Sequence, residues 1–172
     1  MPDLPQHKPA LAGSSGQGDV RLDILPEGHL MQIMGVIDAA ALGERLVKAG
    51  LAQSSVRPAG FQQWFVAGDD ILPASTLADL TAALAGDAFL CDQSHGRIRI
   101  GVSGTRAADL LSKGTAVDLH PSVFAQGQSA MTLFGHISVQ LTRTGADHFE
   151  LTVLRSFAES LWEDLEALAT AI

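Results

Sequence analysis

Two successive runs of strand, helix and strand, joined by short turns, predict an α+β fold with antiparallel sheets and helices on one side of them. Three observations carry this. Residues 97–102 read Arg-Ile-Arg-Ile-Gly-Val, which puts Ile98, Ile100 and Val102 on one face and the arginines on the other, as in a half-buried strand. The same alternation returns with Ile137, Val139 and Leu141, and again with Phe149, Leu151 and Val153. Between such stretches lie helical patterns that start at polar caps and stop at glycines.

Taken in order, residues 1–18 are rich in Pro, Gly, Ser and Gln and are expected to form a flexible tail, or an arm that orders only against a partner. Residues 19–172 are expected to form one domain, with halves at about 19–96 and 97–172. Residues 20–37 are strand-like but broken by Pro26 and Gly28. Asp38 can cap a helix over 39–49, with Leu42, Leu46 and Val47 on one face and Gly50 as its stop. Residues 61–67 read as a strand, and Thr76 with Asp79 as a capping box for a second helix that ends at Gly86. A strand at 89–91 closes the first half near Ser94-His95-Gly96.

In the second half, Ser103-Gly104-Thr105 leads into a short helix carrying Leu110 and Leu111 and stopping at Lys113-Gly114. A turn region at 118–127 follows, in which Pro121 disfavours helix at His120. Strands are expected at 129–134, 136–142 and 148–154. Ser156 and Glu159 then form a capping box for a helix to about Ala169, with Phe157, Leu161, Leu165 and Leu168 as its apolar stripe.

Composition narrows the function. The chain has 172 residues, 47% of them apolar, and a formal net charge of −8. Its eleven Lys and Arg residues are scattered, so it lacks the basic footprint of a nucleic-acid binder. There is no basic amphipathic helix for an anionic membrane, and no apolar run of the ~20 residues needed to span a bilayer. The single cysteine, Cys91, excludes an internal disulfide; with no secretory pattern at the N-terminus, a cytoplasmic location is expected.

No catalytic constellation stands out. His95 lies near Asp92 and His120 near Asp118, but neither pair has metal-ligand spacing. Ser103 lacks the middle residue of a nucleophile elbow, and Cys91 reads as a buried, inert thiol. No GxGxxG or GxxxxGK[ST] loop occurs. Arg155, at a strand end before the last helix, can hold Asp118 or another turn acid, or pair across an interface. Trp64 and Trp162 read as core or half-buried, and tryptophan is also enriched at binding hot spots.

The stretch from Gly104 to Trp162 resembles the gamma subunit of heterotetrameric sarcosine oxidase. The residues that carry the resemblance are Gly104, Arg106, Ala107, Leu111, Lys113 and Gly114, then Asp118-Leu119-His120-Pro121, Phe124 and Gly127. Ala130 and Thr132 follow, and then Arg155-Ser156-Phe157-Ala158 and Ser160-Leu161-Trp162. Trp64 and Ser94-His95-Gly96 extend it more weakly, over about residues 60–168. Thr115 stands where the family often has Cys, and Gly60-Phe61-Gln62 where a Gly-Pro is usual. The resemblance implies an aminomethyltransferase-like, folate-binding type of α+β domain acting as a non-catalytic accessory subunit. The implied complex demethylates sarcosine oxidatively to glycine and passes the one-carbon unit to tetrahydrofolate. It also implies alpha, beta and delta partners that hold FAD, FMN, NAD, zinc and folate, with no cofactor on this chain. Trp64, Arg106, Lys113, Asp118, His120, Pro121, Arg155 and Trp162 are then candidates for fold or interface roles. The alternative is a stand-alone folate-binding or one-carbon-transfer protein of the same fold, possibly homodimeric, with Asp92, Asp118 or Glu150 available to hold a pterin.

Overall fold

The computed structural model describes residues 11, 13–15 and 18–172. Most of the expected N-terminal tail lies outside the described residues, but Ser14–Ser15 form a short strand, β1, paired with β2 (Arg21–Ile24). Among the described residues, ten strands form two antiparallel sheets. One has the order β1-β2-β7-β10-β9-β8, the other β4-β5-β3-β6. The first contains β7 (Arg97–Ser103), β8 (Ser129–Phe134), β9 (Ile137–Gly145) and β10 (His148–Leu154); the second β3 (His29–Gly35), β4 (Ser55–Gly60), β5 (Gln63–Gly68) and β6 (Ala88–Asp92). Strands β1 and β2 thus come from the first half of the chain but complete the sheet of the second.

Each sheet carries helices on its outer face. Alternation places Ile98, Ile100 and Val102 of β7 beside Val153, Leu151 and Phe149 of β10, and these pack under α3 (Ala107–Ser112) and α4 (Ala158–Thr170) through Leu110, Leu111, Leu161 and Leu165. On the smaller sheet, Met31, Ile33 and Val66 meet Leu42 and Leu46 of α1 (Ala39–Lys48) and Leu80 and Leu84 of α2 (Ala74–Leu84). The inner faces of the two sheets meet each other. The order is therefore helix, sheet, sheet, helix.

Strands β7, β8 and β10 and helix α1 form where the pattern placed them. Asp38 caps α1, its Oδ1 accepting from the Ala41 amide at 2.8 Å. Three expectations are corrected. Helix α2 starts at Ala74 behind Pro73 with no side-chain cap, because proline fixes the extended lead-in and Thr76 falls inside the helix. The chain before α4 turns as a 3-10 segment, Arg155–Phe157, so α4 begins at Ala158 without a side-chain cap, Ala158 takes the core position and Phe157 faces outward. Strand β4 has no alternating pattern to announce it. It contains Pro58, which has no N–H to give and is tolerated because β4 is an edge strand with a register shift after Pro58. Phe61, expected inside a strand, sits in the exposed β4–β5 turn.

Two glycines of the Gly104–Gly114 stretch are required by geometry. Gly104 has φ of 116°, and a Cβ there would collide with the Asp19 carbonyl. A Cβ on Gly114 would run into the Phe134 ring.

Candidate functional site

The inner sheet faces form a charged layer. Arg57 of β4 donates to both carboxylate oxygens of Glu150 on β10, at 2.5 and 3.0 Å, and both side chains are buried. Arg99 of β7, 8% exposed, donates to Asp69 at 2.5 Å and to the carbonyls of Pro26 and Gly68, and lies 3.8 Å from Glu150. Gln140 of β9 donates to the Pro58 carbonyl at 2.9 Å. The layer joins the sheets by charge-assisted bonds where apolar packing is thin: Leu30, Phe65 and Ala67 are its buried apolar part. Beside it, buried His29 donates from Nδ1 to the Asp70 carbonyl at 2.7 Å, and its Nε2 shares a hydrogen bond with the Ser54 hydroxyl, also at 2.7 Å.

This layer overturns the reading of β7 as half-buried. Its arginine face is covered by the second sheet. The pattern did contain a signal: Glu150 alternates with Phe149 and Leu151 in a strand buried on both faces, and an acid there needs a buried cation.

Arg143 of β9 was also missed. It is buried, stacks 5.0 Å from the centre of the Phe149 ring, and donates to the carbonyls of Leu119, Phe124, Gly145 and Ala146. A single guanidinium thereby fixes the turn that contains Asp118-Leu119-His120-Pro121. Leu119 and Phe124 point into the core, while His120 and Pro121 are exposed.

The sequence-derived candidates are dispersed over four places. Asp118 accepts from the His120 amide at 2.9 Å, and the His120 ring bonds the Ser122 hydroxyl at 2.7 Å; Pro121 lies between them on the surface. Arg106 donates to the Ile172 backbone oxygen at 2.7 Å and approaches Asp109; Lys113 is exposed at the end of α3, and Trp162 is half-buried against the larger core. Trp64 packs on the smaller core and donates to the Ile37 carbonyl at 3.1 Å. Arg155 pairs with Glu27 at 3.2 Å rather than with Asp118. Of the three acids considered for a pterin, Asp92 bonds Ser94, Asp118 closes its own turn and Glu150 is paired with Arg57. Cys91 is exposed on edge strand β6, not buried, because Ala88 and Leu90 take the core-facing positions there.

The Arg155 amide donates to the Gly96 carbonyl at 2.9 Å, which brings Ser94-His95-Gly96 and Arg155-Ser156-Phe157 together. Of these, His95, Gly96, Arg155 and Ser156 line an open groove with Leu154 and Glu159. Among the described residues, no group of three or more His, Cys, Asp or Glu converges as a metal site. No helix there is long and apolar enough to cross a membrane.

Paired antiparallel sheets backed by helices define the chain as an α+β domain whose solved likenesses include the glycine cleavage system aminomethyltransferase T from Bartonella henselae. That match has 17% identity and a TM-score of 0.59, and covers 84% of this chain but 44% of that one. A longer match is to the heterotetrameric sarcosine oxidase from Corynebacterium sp. U-96, with 21% identity, a TM-score of 0.79, and 91% and 87% of the two chains covered. The ligand-free regulatory subunit of aspartate kinase from Thermus thermophilus matches at 14% identity and a TM-score of 0.51, over 90% and 99%. No curated protein matches by sequence. The sarcosine oxidase, gamma subunit family matches residues 77–171, just over half of the chain, and the chain belongs to that family.

Proposed function

We propose that this chain is a non-catalytic, structural subunit of a sarcosine-oxidase-type complex. The observation that carries the reading is the family match over residues 77–171, which spans the turn held by Arg143 and the Arg155-Ser156-Phe157 corner. The site geometry supports it: Glu150 is paired with Arg57 and stands near Arg99 across the sheets, and the three pterin candidates are engaged within the chain. In this reading the complex demethylates sarcosine oxidatively to glycine and delivers the one-carbon unit to tetrahydrofolate. FAD, FMN, NAD, zinc and folate reside on alpha, beta and delta chains, and this chain braces them in the cytoplasm.

The test is purification through a tag on this chain from its own cell, followed by an absorbance scan and a peroxide assay with sarcosine. Larger co-eluting chains, flavin absorbance and sarcosine-dependent peroxide are expected. A colourless single species would refute the reading.

A further inference from the structure

At the margin of the charged layer sits a cation that the layer leaves uncompensated. Arg97 begins β7, and its guanidinium lies 4.8 Å from the centre of the Phe65 ring on the opposite sheet. Every other arginine of the inner faces has a carboxylate partner, Arg57 with Glu150 and Arg99 with Asp69. Arg97 makes no ion pair among the described residues, and its buried Nε has no acceptor. Burial holds its pKa below the usual arginine range. A half-buried guanidinium with no carboxylate beside it is a costly arrangement unless something else completes it.

The neighbours show what could. Leu154 is directly opposite Arg97 in the β7–β10 pair and is 40% exposed. One strand further, the β10–β9 register ends at Val153 and Val139, and Ser138 is the next residue of β9 on the Leu154 side; Leu133 of β8, 54% exposed, pairs with Ser138. Paired residues share a face, so Arg97, Leu154, Ser138 and Leu133 make a strip across four strands, about 14 Å long. Leu154 and Leu133 are its two exposed apolar points, with Ser138 between them and one cation without an ion pair at its end. The chain's net charge of −8 repels acidic groups in general, so the strip is a local exception.

We propose that this strip seats an Asp or Glu side chain, flanked by apolar residues, from a partner subunit. The carboxylate takes the Arg97 guanidinium end-on through its two Nη atoms, since the buried Nε is closed to a partner, and the flanking apolar groups cover Leu154 and Leu133. The inference rests on the subunit reading above and adds where the partner docks and by what chemistry.

The test uses the sole cysteine. Cys91 is exposed, and on the inner face of its sheet it lies two strands from Phe65, about 10 Å away. A photo-crosslinker attached to Cys91 of the native chain, assembled with the co-expressed larger subunits, is expected to mark a partner peptide containing Asp or Glu. Arg97→Glu is expected to weaken association about 30-fold or more, and reversal of the marked acid to Lys to restore it. Matching circular dichroism of wild type and variant separates lost docking from lost folding. Cross-links confined to a second copy of this chain, or to peptides without an acid, overturn the proposal. So does wild-type association of a folded Arg97→Glu chain, while leaving the subunit reading intact. Failure of the wild-type chain to join the larger subunits sinks that reading and the docking proposal with it.

Discussion

Glu150 is the residue on which the inner layer depends. It neutralises Arg57 through two bonds and stands near Arg99, so removing its charge leaves a buried guanidinium without a counter-ion. Glu150→Gln is expected to cost about 3–5 kcal/mol in urea unfolding, whereas replacing the pair together, Arg57→Met with Glu150→Leu, costs much less. Arg143 works differently, through carbonyls alone. Arg143→Met leaves buried acceptors unpaired and is expected to cost about 3 kcal/mol, with new proteolytic cleavage within residues 118–127 as the diagnostic sign. Cys91 is expected to react with a maleimide in the native state at a rate close to that of the unfolded chain; strong protection would contradict its exposed position. These roles were poorly legible in the sequence. An arginine in an alternating strand reads as solvent-facing unless a second sheet is known to cover it, and nothing local encodes that cover.

At the scale of elements, the sequence was informative wherever one face met a helix. Ile98, Ile100 and Val102, and Phe149, Leu151 and Val153, placed β7 and β10 correctly because their periodicity matches one buried stripe. Asp38 announced α1 because an Asx cap acts within a single turn. The caps offered by Thr76 and Ser156 failed because a proline and a 3-10 turn already set the chain direction there. Strand β4 was hidden by Pro58, a residue that argues against a central strand but not against an edge. The short helix α3 depends on its two flanking glycines. Gly114→Ala forces Cβ into the Phe134 ring, which is itself buried, so a loss of about 1–3 kcal/mol in thermal or urea unfolding is expected. Gly43→Ala, in the open on α1, serves as the control and is expected to be neutral or slightly stabilising.

For the whole molecule, the joining of two sheets through charge is the feature that sequence patterns could not supply. Arg57 and Glu150 are 93 positions apart, and the first half contributes β1 and β2 to the second half's sheet. The resemblance at residues 104–162 fared better, since it rests on spacing along the chain and the family match covers the same stretch. The strip of half-buried Arg97 with Leu154, Ser138 and Leu133 is visible only with the strand order known, because its members come from four separate strands. A structural subunit of a larger assembly accounts for that strip and for the chain's family. Native mass spectrometry of material purified through a tag on this chain tests that claim most directly. A single heteromeric species, containing this chain with larger flavin-bearing chains, is the expected result. A monomer, or a dimer of this chain alone, would contradict it.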